Sequence, residues 1–305
     1  MLATALDAAC KQHLGKLGSK ADLRTALAND LLVLLCGVRV ALLWDYWVLD
    51  GVDADEDGWS SGGGGALSLS QVLSFLYELR QSSMEAGVLQ VICIGASVFI
   101  VHADALRAKL ERGPSAELVD MDLVAVDAQL QAPRLCSVDE RRHVCAGLAE
   151  VSAALLEASS RRHPVSGPAD LLVRLPCPRP ASLMVAVHGW LLGYPAIYCH
   201  AAGAAEGEAA SDGSAAGNAT CLGDQTLAVC AVTTRRRAAR DGARFRVCSF
   251  SLPAGLADDC APQSRPSVRA WWEGFQARFA SAPGCTFWEE PRLEVQARLG
   301  TGVTL

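Results

Sequence analysis

The chain has 305 residues, 51% hydrophobic and 20% charged, with a formal net charge of -6. That much apolar material suffices for a large core, and the length admits one large domain or two ordinary ones. Phosphate backbones are held by clustered Lys and Arg, so an acidic chain of this kind is not expected to bind nucleic acid.

Helical spacing predicts a first helix over residues 2–17 and a second over 21–37. Leu23, Leu27, Leu31, Leu34 and Leu35 recur on one face of the second, and Gly37 closes it, which gives a helical hairpin. The run from Val40 to Trp44 reads as a buried strand ending at Asp45. An acidic, glycine-rich stretch follows, and residues 50–66 are expected to be a flexible loop. Ser68 or Ser70 is placed to cap a helix reaching about Gln81, with Leu69, Val72, Leu73, Leu76 and Leu79 on its buried side. Leu89–Ile94 and Val98–Val101 read as two strands of a hairpin turned at Gly95-Ala96-Ser97. Asp104 is the expected cap of a short helix ending near Arg112, and Leu123–Val126 is a further candidate strand.

From Ser137 to about Arg162, Val144, Leu148, Val151 and Leu155 trace a long amphipathic helix. Asp139 and Glu140 lie at its start and Arg161, Arg162 and His163 at its end, the arrangement favoured by the helix dipole. Residues 164–180 hold five prolines and mark a candidate subdomain boundary within a chain otherwise expected to be one globular domain, 1–305. Leu183, Met184, Val187 and Leu191 make a helical stripe, Gly193 offers a left-handed stop, and Pro195 bars continuation. A low-complexity stretch, 202–223, is expected to be a second flexible loop. Gln225–Thr233 and Arg244–Leu252 alternate as paired strands across the polar turn Arg235–Gly242; with Ala196–His200 they suggest a three-stranded antiparallel meander. Ser267 is the expected cap of a last helix whose Val268, Trp271, Trp272, Phe275 and Phe279 form a core stripe, followed by a strand near Leu293–Leu299. Short paired strands with helices set between them predict an α+β fold, a mainly antiparallel sheet with helices packed on it.

Twelve cysteines invite a disulfide framework, but Cys36, Cys93, Cys199, Cys230 and Cys248 sit inside apolar runs, where a free thiol behaves as a small buried hydrophobe. There is no secretory leader pattern and no apolar run approaching the ~18 residues of a membrane span. A reduced, soluble, cytoplasmic chain is expected, with the nucleus as the alternative. The sequon Asn218-Ala219-Thr220 then reads as a chance match.

The chemical motifs are incomplete. Asp53-Ala54-Asp55-Glu56-Asp57-Gly58 matches the first half of a calcium loop, but its twelfth position is Gly64 rather than a bidentate Glu. Asp45 occupies the strand-end position of a nucleophilic aspartate, yet Trp47 stands where the haloacid dehalogenase pattern needs its acid. Cys199 beside His200, with His188 in the preceding helix, suggests a thiol hydrolase. Alternation along a strand sends Cys199 and His200 to opposite faces, however, and leaves Cys199 in the company of Ile197. No cysteine pair has zinc spacing, and Gly62–Gly65 is a bare glycine run without the Lys of a phosphate loop. Arg235, Arg236, Arg237 and Arg240 form the densest basic cluster, a solvated hairpin tip or a contact for an acidic partner.

Three segments, Leu43-Trp44-Asp45-Tyr46, Ile94-Gly95-Ala96-Ser97-Val98-Phe99 and Leu191-Leu192-Gly193-Tyr194-Pro195-Ala196-Ile197-Tyr198, resemble a eukaryotic family described only as a domain of unknown function. Its human member bears a chromosome-one open-reading-frame name. The resemblance spans about residues 20–300 and implies no activity, ligand or catalytic residue. The leading expectation is therefore a non-enzymatic binding or scaffold module with a protein partner, no metal and no cofactor. The alternative is a hydrolase or transferase whose site assembles only in three dimensions, with Asp45, His188, Cys199 and His200 as candidates.

Overall fold

A computed structural model of the protein describes residues 2–14, 20–45, 49–50, 67–127, 130–160, 165–200, 221–222, 225–237, 244–256, 262–283 and 288–299. In chain order these form α1 (Leu2–His13), α2 (Ala21–Leu35), β1 (Ala41–Leu43), β2 (Leu49–Asp50), β3 (Leu67–Ser68), α3 (Leu69–Ser82), β4 (Leu89–Ile94), β5 (Ser97–His102), α4 (Ala103–Leu118), β6 (Asp122–Ala125) and β7 (Arg134–Leu135). There follow α5 (Val138–Ser160), β8 (Leu172–Leu175), α6 (Leu183–Leu192), β9 (Ala196–Cys199), β10 (Thr226–Arg235), β11 (Arg244–Pro253), α7 (Pro266–Ser281) and β12 (Arg292–Leu299). Most strand pairs are antiparallel and the helices are segregated from them, which makes this an α+β fold. None of the described helices is long and apolar enough to cross a membrane. Apart from Asp50, Cys221 and Leu222, the two expected loops 50–66 and 202–223 lie outside the described residues, as do the calcium-like segment, Gly62–Gly65 and Asn218.

The chain divides into two compact units, Met1–Glu111 with Ala153–Pro178, and Arg112–Ser152 with Arg179–Leu305. In the first, the sheet order is β1-β5-β4-β8. The β4–β5 hairpin turns on Gly95 and Ala96, Gly95 taking the positive φ of 54° that a tight turn needs. β8 pairs in parallel with β4, from Val91 beside Leu172 to Ile94 beside Leu175. Central β4 is buried along its whole length, which explains its unbroken apolar sequence. Ser68 caps α3 by a reciprocal pair of bonds: the Gln71 N–H donates to Ser68 Oγ at 3.3 Å, and the Ser68 N–H donates to Gln71 Oε1 at 2.9 Å. That cap aims Leu69, Val72, Phe75, Leu76 and Leu79 into a core shared with Leu27, Leu31 and Leu34 of α2.

The expected cap of the next helix is corrected. The Ala105 N–H donates to His102 Nδ1 at 3.3 Å, so His102 rather than Asp104 closes α4. Burial holds the His102 pKa below its ordinary value, which keeps the imidazole neutral and able to accept. α4 also runs beyond Arg112, kinking at Gly113 (φ 75°) and Pro114, where the chain passes from the first unit to the second.

The second unit holds two sheets, β7-β6-β9 and β11-β10-β12. Here the expected meander is corrected: Ala196–Cys199 is not its third strand. It pairs in parallel with β6, and β12 takes the third place, from Thr226 beside Leu299 to Thr233 beside Arg292. β9 is buried at all four positions, the burial expected of a strand in a parallel pair rather than of a half-solvated meander. α6 ends as its sequence predicts, at Gly193 with φ 70°. A Cβ on Gly189 would stand 3.2 Å from two carbons of Ile197, so the absence of a side chain lets α6 lie close on β9. Trp190 is fully buried and its indole N–H donates to Glu117 Oε2 at 3.0 Å.

The aromatic stripe of α7 is core, as expected. Trp271 meets Phe250 of β11 edge to face with centroids 5.0 Å apart, and Val268, Phe275 and Phe279 are buried. Ser267, however, is not its cap: α7 opens at Pro266 without a side-chain cap, and the Ser267 hydroxyl donates to Asp122 Oδ2 at 2.6 Å. Ser137 does cap α5. The Glu140 N–H donates to Ser137 Oγ at 3.3 Å, and the Ser137 N–H donates to Glu140 Oε2 at 2.7 Å.

Gly193→Ala forces a Cβ into the left-handed region and is expected to lower stability by about 1 kcal/mol. Gly189→Val adds two methyl groups and a Cβ against Ile197, for an expected cost of about 1–3 kcal/mol. Urea melts of both variants check these values. Hydrogen bonds from Arg134 and Ser137 hold the Glu140 carboxyl down at about 2, so its contribution to stability is present above the unfolded carboxylate pKa and is lost as pH falls through the folded value. Glu140→Gln should therefore destabilise the protein at pH 7, with the deficit shrinking between about pH 4 and 2. Melts across that range test it, and a deficit independent of pH would contradict it.

Candidate functional site

The sequence candidates are dispersed. Asp45 follows β1 in the first unit and is exposed, while His188, Cys199 and His200 belong to the second. His188 is half-buried on α6, and burial alone holds its pKa below the usual histidine value. His200 is half-buried just past β9, and Cys199 is buried at the strand's end. The thiol of Cys199 meets another thiol, Cys136 Sγ at 3.0 Å, and the Val124 carbonyl at 3.6 Å. Among the described residues, no group of three or more His, Cys, Asp and Glu is placed to hold a metal ion.

The basic cluster braces the neighbouring chain. Arg236 forms a bridge with Trp288, Arg237 Nε donates to the Trp288 carbonyl at 2.8 Å, and the Glu289 N–H donates to the Arg235 carbonyl at 2.8 Å. Arg235 also lies 3.3 Å from the Glu289 carboxylate. Arg240 lies outside the described residues.

An open cleft of about 520 Å³ in the second unit brings together residues that none of those motifs includes. Its walls are Val119–Asp122, Arg141 of α5, and the first two turns of α7 with the preceding Arg265. Asp122 is the keystone of one wall. Its Oδ2 accepts from Arg265 Nε at 2.7 Å and from Ser267 Oγ at 2.6 Å, and Arg265 also donates to the Leu256 carbonyl. Arg141 ties the other wall, donating to the Leu118 carbonyl and, at 2.8 Å, to that of Met121. Asp120, Arg269 and Glu273 are exposed at the rim.

Asp122 Oδ2 already accepts from two donors, the Ser267 proton is committed to it, and among the described residues no imidazole, thiol or amine lines the walls. What remains available is the uncapped first turn of α7, whose N–H groups carry partial positive charge, with Arg269 beside it and the exposed carboxylates of Asp120 and Glu273 at the rim. Val119, which lines the cleft, is 74% exposed, as is Val138, and Leu135 is 44% exposed. The Arg141 bonds draw the first turn of α5, which carries Val138, to the segment that carries Val119.

The thiol pair has its own electrostatics. Arg134 grips Glu140 with two bonds of 2.7 Å beside Cys136. The hydrogen bond from Cys199 holds the Cys136 pKa below the ordinary thiol value; the same contact and burial push Cys199 up. Sequence inspection found Cys199 but missed Cys136, Asp122, Arg265 and Val119, because each matters through a partner at least 9 residues away or through exposure, neither of which a linear pattern records. The adjacency of Ser137, Asp139 and Glu140 was a visible signal for a helix start, and nothing in it pointed to the cysteine before it.

Asp122→Ala strips Arg265 of its carboxylate in a setting where both side chains are largely buried, and is expected to cost about 2–4 kcal/mol. Ser267→Ala should cost about 1 kcal/mol. Denaturant melts, together with faster amide exchange in the first turn of α7 for Asp122→Ala, check this.

Searches of curated proteins and of solved structures found no match. A family model described as a domain of unknown function, DUF4504, matches residues 60–300, which takes in the cleft, the thiol pair and the whole junction of α6 with β9. The chain belongs to that family.

Proposed function

We propose that the protein works by binding, and that the cleft of its second unit takes a segment of a protein partner in which an acidic group stands next to an aliphatic side chain. The observation that carries this reading is the position of the exposed apolar residues. Of the described large hydrophobic side chains, those left exposed are Val119, Leu135 and Val138, all between residues 119 and 138, and Val119 itself lines the cleft. The acidic preference rests on the uncapped N-terminal turn of α7 and on Arg269. A scaffold role fits the rigid walls, since Asp122 and Arg141 hold the opposing segments before any partner arrives. A reducing compartment, the cytoplasm or nucleus, suits a chain whose ten described cysteines form no disulfide with one another. The enzymatic alternative built on Cys199 lacks comparable support, because a thiol whose pKa is raised makes a poor nucleophile at neutral pH.

A random peptide library displayed on phage and selected on the purified full-length chain tests this reading. The expected selection is peptides with Asp or Glu adjacent to Leu, Ile or Val, whose binding is lost in Val119→Asp and weakened in Arg269→Glu, both exposed positions where folding is preserved. Peptides without that pattern, or ones that bind Val119→Asp equally well, would overturn it.

A further inference from the structure

β6 lies between two cysteines that stand 63 residues apart in the chain. Cys136 comes just after β7, with its N–H donating to the Leu123 carbonyl at 2.9 Å, while Cys199 stands opposite Ala125 at the end of β9. Leu123 and Ala125 project from the same face of β6, so the residues flanking them on either side project from that face too. The two thiols accordingly close over the strand, 3.0 Å between sulfurs, with Cys199 Sγ against the Val124 carbonyl. One is partly reachable and one is not: Cys136 is half-buried and Cys199 is 2% exposed.

We propose that Cys136 and Cys199 are a redox-active dithiol, with Cys136 as the attacking thiol and Cys199 as the resolving one, oxidised by a low-molecular-weight disulfide. This inference stands apart from the cleft reading and does not need it.

The first step is attack by the Cys136 thiolate on one sulfur of the small disulfide. That S–S bond breaks, a mixed disulfide forms on Cys136, and one small thiolate leaves. In the second step the Cys199 sulfur attacks the Cys136 sulfur and expels the second small thiol, which takes up the Cys199 proton. Two protein thiols are oxidised to one disulfide, and one small disulfide is reduced to two thiols.

The surroundings fit each role. The hydrogen bond from Cys199 favours the Cys136 thiolate most, against burial and the Glu140 charge, with the Arg134 and Arg141 guanidiniums adding to it. Burial and the same hydrogen bond keep Cys199 protonated until the mixed disulfide arrives, which preserves it as the second thiol. Bonding requires the sulfurs to close by about 1 Å and, because β6 lies between the two cysteines, the backbone after β7 to lean over that strand until the Cα atoms are within about 7 Å. Cys136 sits where such a shift meets least resistance, between the two-residue edge strand β7, exposed at both positions, and the start of α5.

The test treats the reduced full-length protein with oxidised glutathione under native conditions, followed by intact mass and peptide mapping. The expected product has lost two hydrogens, retains no glutathione, and yields a linked peptide pair joining Cys136 to Cys199; dithiothreitol restores the starting mass. Cys136→Ser, a near-isosteric change at a half-buried position, should fold and fail to form the link. Cys199→Ala should stall with one glutathione on Cys136, provided its far-ultraviolet circular dichroism matches that of the wild type. The inference is overturned if wild-type protein keeps glutathione on Cys136, if the bridge joins other cysteines, or if Cys136 reacts no faster than the exposed Cys177.

Discussion

The parallel pairing of β6 with β9, from Asp122 beside Ala196 to Ala125 beside Cys199, is the constraint on which the second unit depends. Parallel strands cannot be joined by a tight turn, so the chain must travel out and return before the pair can close. It does so through α5 into the first unit, where β8 makes another parallel pair with β4, and it comes back through α6. In each unit a strand thus pairs in parallel with one that lies much earlier in the sequence. Loop closure of that span opposes folding entropically, and the burial of β4 and β9 on both faces offsets it.

The groups that give the second unit its chemical character gather on that pair. Asp122 donates its N–H to the Pro195 carbonyl as part of the junction and offers its carboxylate to Arg265 and Ser267, so one residue joins β6, the entry to β9 and the start of α7. Gly189 lets α6 lie on Ile197 at close range, and the indole N–H of Trp271 donates to the Gly193 carbonyl at 2.7 Å, locking α7 to the helix stop. Tyr198 reaches the other sheet by donating to the Ser251 carbonyl at 3.0 Å, and its burial pushes the phenol up to about 12. The cleft and the thiol pair are two ends of the same β6 strand, one beyond Asp122 and the other across Leu123 and Ala125.

Arginine does much of this bracing. Arg134 pairs with Glu140, Arg141 with two carbonyls, Arg237 with the Trp288 carbonyl, Arg244 with the Thr233 carbonyl, and Arg265 with Asp122. A planar guanidinium with five donors can satisfy several orphan carbonyls at once, which a lysine ammonium on its flexible stem does less well. Arg237, Arg244 and Arg265 thus brace backbone and carboxylates of the second unit, while Arg246, Arg269, Arg278 and Arg292 stay exposed. Charge counting could not separate those two uses, because the partners are carbonyls and distant carboxylates.

Much of the secondary structure was legible from local patterns. The Ser68 and Ser137 caps, the Gly95 hairpin, the Gly193 stop and the α7 stripe are set by interactions within about four residues, and linear inspection reads such interactions directly. The misreadings share a cause. Asp104 yielded the capping role to His102, Ser267 turned its hydroxyl to Asp122 across the fold, and Ala196–Cys199 took β6 rather than β10 as neighbour. Alternation and apolarity dictate which face of a strand is buried and say nothing about which strand lies alongside. By itself, then, the sequence determined the α+β class and the position of most elements. Only the tertiary structure decided strand partnership, and with it the placement of Cys136 against Cys199 and of Asp122 against Arg265, because those contacts close loops whose free energy depends on the whole folded chain.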